Sequence, residues 1–298
     1  MSKSRENDNG RYFEFLITKQ LFDDYGVILS DRAQRDQVRD ANKPIEKEVQ
    51  DKMLCASEKI SNWINEKISL NNETTVDRLP DIGSGQTTHS DISIRDAQNR
   101  ELAFSLKWNS GSVFHGRPWT ACKWAGIPKE DARHKTFKKN TESLKHILFS
   151  KIPVGTKFAD GGIYDTYQEH WSNFAKSVFE EMKEVFLSGN EDREVISNLF
   201  RKIVGDGSDQ FRIIAKKNGE ILIQDLTNLK PPTGIDISIY QKDTKTNYVW
   251  YLRLDFNNGV RIEARSKQDS RTMKNPPPLK PDWKVEHWGN SGMSQQEL

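Results

Sequence analysis

Residues 88–109 of the chain, THSDISIRDAQNRELAFSLKWN, contain two stretches in which apolar and polar side chains alternate. The apolar positions are Ile92, Ile94, Leu102, Phe104 and Leu106. A period of two is typical of a half-buried strand, and the polar residues 96–99 between the stretches favour a turn. The segment therefore predicts a β-hairpin, or two strands joined by a short turn.

The polar positions of the same segment bring three chemically different groups together. Side chains two residues apart share one face of a strand, so Ser105 and Lys107 are expected to point away from the core. If the strand that carries Asp91 is the neighbour, its carboxylate lies beside them. Phosphodiester hydrolysis needs a divalent cation that acidifies the attacking water, and a group such as lysine that stabilises charge in the transition state. Asp91 and Lys107 supply both kinds of group.

This arrangement resembles the PD-(D/E)xK nuclease superfamily, in which an acidic residue on one strand precedes an acid-x-lysine pair on the next. Ser105 follows Asp91 by 14 residues and stands where the family has a carboxylate. A hydroxyl is a weaker ligand for a hard cation than a carboxylate. The stretch Gly10-Arg-Tyr-Phe-Glu-Phe-Leu16 resembles the opening helix of many of these nucleases, and Glu14 is the candidate replacement ligand.

Three short stretches resemble the HaeIII-like family of type II restriction endonucleases. They are Gly10-x-x-Phe13-Glu14-Phe15, Ser105-x-Lys107-x-Asn109 followed by His115, and the late strand over residues 256–266. The resemblance implies a Mg²⁺-dependent, sequence-specific endonuclease of double-stranded DNA. It also implies a homodimer that is paired in its host with a protective DNA methyltransferase.

The expected site residues follow from this resemblance and from the residues themselves. The catalytic set is Asp91, Ser105, Lys107 and Glu14, of which Asp91 and Glu14 bind the metal. The set expected to contact DNA is Asn109, Ser112, His115, Arg117, Lys138, Lys139, Arg261, Arg265 and Lys267. Within it, Lys138 and Lys139 are expected to meet phosphates, and Arg265 to read guanine edges.

Other interpretations remain open at this point. An Asp and a Lys on the exposed face of a hairpin, or a basic helix face, are often only solvated surface. The Pro80-Asp81 pair precedes a glycine-rich loop and ranks below Asp91, and His89, His115 and His134 lack the spacing of a metal site. The alternative functions are a structure-selective or RNA-directed nuclease, and a non-catalytic DNA-binding protein on a degenerate scaffold, which Ser105 favours.

Composition narrows the class of protein. The 298 residues carry a net charge of only +2, so affinity for a polyanion has to come from local patches. Two distant cysteines, Cys55 and Cys122, exclude a disulfide framework and a cysteine-built zinc site. No apolar stretch is long enough for a transmembrane helix, and the first residues lack the apolar core of a signal peptide. We therefore expect a cytoplasmic protein with no membrane partner.

The pattern along the chain predicts an α/β fold with a restriction-endonuclease-like core, in which helices flank a mixed central sheet, and a β-rich C-terminal portion. Helices are predicted over residues 11–25, 45–68 and 129–148, with two more within 164–204. Strands are predicted over residues 92–94, 102–106, 211–215, 221–224, 235–240, 248–256 and 260–264. A basic, proline-interrupted arm is expected after Arg265. The expected division is a nuclease core over 1–160 and a recognition portion over 161–298, with one continuous domain as the alternative.

Overall fold

The structure is a computed structural model that describes most of the chain. The described residues are 3–79, 90–109, 112–114, 116–157, 162–188, 192–205, 210–242, 249–268, 270 and 272–298. Within these ranges, the α-helices are α1 (Lys3–Tyr25), α2 (Asp31–Asp40), α3 (Lys47–Ile68), α4 (Ala121–Trp124), α5 (Ala132–Lys151), α6 (Gly162–Leu187) and α7 (Arg193–Val204). A short 3-10 helix covers Pro118–Thr120.

The strands of the described ranges form two sheets. They are β1 (Ile28–Leu29), β2 (Thr75–Arg78), β3 (Ile92–Arg95), β4 (Glu101–Trp108), β5 (Ser112–Phe114), β6 (Phe211–Ala215), β7 (Ile221–Asp225), β8 (Ile235–Gln241), β9 (Trp250–Phe256), β10 (Arg261–Gln268), β11 (Leu279–His287) and β12 (Ser294–Glu297). One sheet has the order β1-β2-β3-β4-β6-β7-β12 and the other the order β5-β11-β10-β9-β8.

The chain forms two compact units, each built from separate stretches of sequence. The first unit takes residues 1–111, 205–229 and 292–298, and the second takes 112–204 and 230–291. The division predicted from the sequence has one boundary, after residue 160.

The first unit contains the seven-stranded mixed sheet. The pairs β1–β2 and β4–β6 are parallel, and the other neighbours are antiparallel. Its core lies on one face of β3, β4 and β6, where Phe104, Leu106 and Ile213 meet α1 and α3. From those helices Phe13, Ile17, Ile60 and Trp63 are buried in the same cluster. Burial of this apolar stripe explains why two largely polar helices are stable here.

The second unit contains the five-stranded sheet, in which every pair is antiparallel. Helix α6 packs against β8 and β9, and Trp250 Nε1 donates a 2.9 Å hydrogen bond to Ser172 Oγ on that helix. The inward side chains of the sheet include Leu252, Ala264 and Trp283, which are fully buried. The side chains of the opposite face are polar.

The mixed α/β class and the hairpin predicted around residues 92–106 are confirmed. Strands β3 and β4 are antiparallel, with Ile92 opposite Phe104 and Ile94 opposite Leu102. The strands and helices predicted from residue 164 onward up to residue 264 are also found, with small shifts of their ends. Among the described residues no helix is long and apolar enough to cross a bilayer.

The prediction of an extended basic arm after Arg265 is wrong. Strand β10 continues to Gln268, and β11 adds a nine-residue strand that pairs with β10 along its length. Trp283 on β11 is completely buried and packs edge-on against Trp124 at 6.1 Å between ring centroids. A large aromatic side chain in the core fixes this segment, although its prolines and lysines are typical of an arm.

Candidate catalytic site

The carboxylate of Asp91 lies at the end of the predicted hairpin and receives hydrogen bonds from β4. Asp91 directly precedes β3, and its backbone N–H donates to the Phe104 carbonyl at 2.8 Å. Its Oδ2 atom accepts a 2.6 Å hydrogen bond from the Leu106 backbone N–H. Lys107 Nζ lies 3.1 Å from the same oxygen, and Ser105 Oγ donates to it at 3.4 Å. The structure thus brings together Asp91, Ser105 and Lys107, as the period-two pattern predicts.

These three side chains differ in their access to solvent. The side chains of Lys107 and Asp91 keep 26 % and 22 % of their exposure, whereas Ser105 keeps 1 %. Lys107 and Asp91 can therefore meet a substrate. Ser105 lies behind the carboxylate, where its hydroxyl orients Asp91.

Glu14 reaches the same region from α1, where it lies between residues of the helix's buried stripe. Arg78, the last residue of β2, donates from Nη2 to Glu14 Oε2 at 2.6 Å. The Glu14 side chain is 20 % exposed and that of Arg78 only 2 %. The carboxylate is therefore held by a buried guanidinium while one side of it faces solvent.

Burial and, as the next largest cause, the negative charge of Asp91 raise the pKa of Glu14 from 4.5 to about 7. Arg78 and Lys107 act in the opposite direction, through their positive charges and, for Arg78, the hydrogen bond. Charges act on a carboxyl group in this way only when they lie close to it, so Asp91, Arg78 and Lys107 are all near Glu14. Glu14 therefore belongs to the same electrostatic cluster as Asp91 and Lys107.

Asp40, at the end of α2, completes the support of Arg78. Its Oδ2 atom accepts from Arg78 Nη1 at 2.9 Å, and Arg39 donates two further hydrogen bonds to the carboxylate, one to Oδ1 and one to Oδ2. Burial would raise the pKa of Asp40, but the hydrogen bonds and charges of Arg39 and Arg78 hold that pKa below its usual value. Arg78 thus bridges Glu14 and the ionised Asp40.

Arg78 is not among the site residues predicted from the sequence. Strand β2 has four residues, and in it buried Val76 and Arg78 alternate with half-buried Thr75 and Asp77. The only local feature that could have indicated its role is a charged residue at a position where the alternation of β2 places a buried side chain.

The carboxylates of Glu14 and Asp91 fit a magnesium ion in their chemistry. Mg²⁺ is commonly held by one or two carboxylates, with water and substrate phosphate oxygens filling the other positions. Among the described residues no group of three or more His, Cys, Asp or Glu side chains is arranged to hold a metal ion. Two protein carboxylates are therefore what this cluster offers a cation.

The residues expected to contact DNA are spread over both units. Asn109, with φ of 50°, directly follows β4 in the first unit, and its N–H donates to the Ala215 carbonyl at 2.7 Å. In the second unit Arg117 precedes the 3-10 helix, and Lys138 and Lys139 lie on the exposed side of α5. Strand β10 carries Arg261, Arg265 and Lys267, all exposed.

Some of the predicted positions cannot be placed in this cluster. Ser112 begins β5 in the second unit, and only its backbone is described. His115, His89 and the Pro80-Asp81 pair lie outside the described residues.

Comparison of the chain with protein-family models, with curated proteins and with solved structures gave no match. The function of the chain is therefore inferred from the chemistry of the Asp91 cluster.

Proposed function

We propose that the chain is a Mg²⁺-dependent, sequence-specific endonuclease of double-stranded DNA, of the type II restriction kind. The observation that carries this proposal is the 3.1 Å contact of Lys107 Nζ with Asp91 Oδ2, with Glu14 in the same electrostatic cluster. An ammonium and two carboxylates at a half-exposed strand end are the groups that hydrolysis of a phosphodiester needs.

Asp91 and Glu14 are the residues that would hold the magnesium ion. When bound, the ion supplies positive charge to the phosphate and lowers the pKa of a water molecule. The raised pKa of Glu14 supports this assignment, since a buried carboxylate next to a second carboxylate gains from a nearby cation. Arg78 fixes the Glu14 side chain without burying it completely.

Lys107 is the residue that would position the attacking water or stabilise charge on the phosphate. Its ammonium is anchored on Asp91 and still reaches solvent. Ser105 stands where the resembling family has a carboxylate. Its buried hydroxyl would orient Asp91 by donating to Oδ2, and Glu14 would supply the missing negative charge.

We further propose that the first unit has a restriction-endonuclease-like core and that the protein is a homodimer. We also propose that the protein is cytoplasmic and is paired with a DNA methyltransferase in its host. The core assignment is supported by a mixed sheet whose hairpin carries the acid and lysine positions, with α1 bringing Glu14 to them. The dimer and the methyltransferase depend on the family resemblance, and the cytoplasmic location depends on the composition of the chain.

A plasmid cleavage assay tests the function. Purified protein is incubated with a sequenced supercoiled plasmid and Mg²⁺, with EDTA as the blank, and Lys107→Met is compared with Lys216→Met. Lys216 is a matched control because it is also half-exposed, in the first unit, and paired with a carboxylate, that of Glu220 at 2.6 Å. Discrete fragments from the wild type and the control, and none from Lys107→Met, are expected. A Mg²⁺-independent pattern, or equal cutting by all three proteins, would refute the assignment.

A second candidate function is sequence-specific DNA binding without cleavage. It is favoured because each carboxylate of the cluster already has a basic partner, Lys107 for Asp91 and Arg78 for Glu14. Retarded but uncut plasmid would support this candidate. A smear without discrete fragments would instead indicate a structure-selective nuclease.

A further inference from the structure

The five-stranded sheet of the second unit has two chemically different faces. In antiparallel pairs, directly opposed residues place their side chains on the same face. One row across the strands is Ile239, Leu252, Ala264 and Trp283, which is the face that packs in the core. The next two rows are Tyr240, Tyr251, Arg265 and Asp282, and Ser238, Arg253, Glu263 and Lys284. We call the face with these polar rows the outer face.

The outer face contains a tightly bonded cluster around Glu263. This carboxylate is 6 % exposed and accepts hydrogen bonds from Lys242 Nζ at 2.7 Å and from Arg253 Nη2 at 2.8 Å, as well as from the Tyr240 hydroxyl. Burial opposes its ionisation, but these partners lower the pKa of Glu263. The cluster therefore keeps its charges at neutral pH.

Two stacked tyrosine rings contact the basic side chains of the same cluster. The ring centroids of Tyr240 and Tyr251 are 5.6 Å apart. Arg253 lies over the Tyr240 ring at 4.7 Å, and Lys242 lies over the Tyr251 ring at 4.4 Å. Cation–π contacts and charged hydrogen bonds restrict these long side chains, so the surface is ordered before any partner binds.

Next to this cluster lie three exposed cations, Arg265, Lys267 and Lys284. None of the three makes an ion pair with a residue in the described ranges, whereas Arg261 is paired with Asp255 at 2.6 Å. Arg265 and Lys267 are two positions apart on β10, which separates them by roughly 7 Å, and β11 is about 5 Å away. Lys284 lies opposite Glu263, on the other side of Arg265 from Lys267, so the three cations form a row along β10 and β11 with Arg265 in the middle.

The charge of the outer face as a whole is positive. The outer-face positions on β8 to β11, together with Lys242 directly after β8, hold seven basic residues and five acidic ones, so the face carries +2, which equals the net charge of the entire chain. The basic residues are Lys242, Arg253, Arg261, Arg265, Lys267, Lys280 and Lys284, and the acidic ones are Asp236, Asp255, Glu263, Asp282 and Glu286. The charges of all other residues therefore sum to zero, and a polyanion is the complementary partner of the outer face.

The width of the sheet decides which part of DNA it can meet. The major groove is about 12 Å wide and admits a helix or a two-stranded ribbon. Five strands span about 19 Å between the outermost axes. Side chains on the interior strand β10 therefore cannot reach base edges in a groove, but they can reach phosphates on its rim.

We propose that the outer face binds the phosphate backbone of double-stranded DNA independently of sequence, through Arg265, Lys267 and Lys284. The cluster around Glu263 keeps the adjoining surface rigid. The choice of DNA as the polyanion rests on the proposed function. Arg265 has a different role here from the guanine contact that the sequence suggests.

The test measures binding of a labelled duplex of random sequence between 50 and 200 mM salt, in EDTA, by fluorescence anisotropy. The triple variant Arg265→Gln/Lys267→Gln/Lys284→Gln is compared with Lys47→Gln/Lys52→Gln/Lys59→Gln, which removes three exposed cations from α3. Each lost phosphate contact reduces the slope of log affinity against log salt by about 0.9, so the first variant should lose up to about 2.7. The control should keep the wild-type slope, and both variants should keep the wild-type melting temperature.

Equal slopes for the wild type and the first variant, or equal losses in both variants, would overturn the proposal. The same holds if the wild type binds no duplex. Plasmid cleavage by the wild type separates this result from the proposed function. If the wild type binds through this face without cutting DNA, the result supports the inference and refutes the catalytic proposal. If the wild type cuts DNA and the first variant keeps the wild-type slope, the result supports the catalytic proposal and refutes the inference.

Discussion

Arg78 Nη2 lies 2.6 Å from Glu14 Oε2, so a guanidinium that is almost fully buried anchors the carboxylate contributed by the first helix. The other end of that guanidinium is held by Asp40, which has no exposed side-chain surface. The position of Glu14 relative to Asp91 and Lys107 is therefore set by a chain of contacts from α2 through β2 to α1. Any catalytic role of Glu14 depends on this chain.

Arg78→Met should destabilise the protein by about 3 to 5 kcal/mol, because it leaves the buried carboxylate of Asp40 and that of Glu14 with too little compensating charge. Chemical denaturation of the two proteins measures the difference. Arg95→Met is the control, since its pair with Glu101 is exposed and should contribute at most about 1 kcal/mol. Adding Asp40→Asn to Arg78→Met should recover part of the loss. Equal stabilities for the two single variants would contradict the buried network.

Glu14 should make the free energy of unfolding depend on pH in the range between its two pKa values. In the folded protein its pKa is raised to about 7 from the ordinary 4.5, so the folded state binds the proton more tightly. The resulting stabilisation is complete below pH 4.5 and is lost as pH rises through about 7. Urea unfolding of the wild type and of Glu14→Gln, at pH 5 and pH 8 without divalent cations, measures this. Relative to Glu14→Gln, the wild type should be less stable at pH 8 than at pH 5. An equal difference in stability at both pH values would contradict the raised pKa.

Lys107→Ala should reduce cleavage at least about 100-fold while leaving affinity for the cognate site largely unchanged. The reason is that the ammonium is expected to stabilise charge only as the phosphodiester is attacked. Single-turnover cleavage and gel retardation in EDTA separate the two effects. Turnover near that of the wild type would remove Lys107 from the site, and a parallel loss of binding would make it a phosphate-binding residue instead.

The hairpin that carries Asp91, Ser105 and Lys107 could be predicted because a period of two within a few residues specifies both the strands and the faces of their side chains. Glu14 could be proposed only through a family resemblance, because its approach to Asp91 depends on how α1 packs on the sheet. Arg78 could not be found, since its partners Glu14 and Asp40 lie 64 and 38 residues away in sequence.

The error over the C-terminal arm has a similar cause. Pro281 lies within β11, and proline cannot donate a hydrogen bond to a neighbouring strand, so the sequence argues against an interior strand. In the structure β5 pairs with β11 only at Trp283 and Lys284. Among the described strands, Pro281 therefore has a neighbour on one side only, where it lies opposite Ser266 of β10. The position behaves as a sheet edge within the described residues, and burial of Trp283 keeps the segment in the sheet.

Asp91→Asn and Ser105→Ala should separate the metal-binding role of Asp91 from the orienting role of Ser105. Asp91→Asn removes a charged oxygen ligand and should abolish both cleavage and the calorimetric signal of divalent-cation binding at that site. Ser105→Ala removes only a long hydrogen bond of 3.4 Å, while the 2.6 Å bond from Leu106 N remains. It should therefore weaken cation binding severalfold and leave detectable cleavage.

Titration with Mg²⁺ and with Mn²⁺ checks both variants, with Ser93→Ala on the neighbouring strand as control. If Ser105→Ala abolishes cation binding as completely as Asp91→Asn does, the hydroxyl is itself a ligand; if Asp91→Asn binds the cation like the wild type, the cluster is not a metal site.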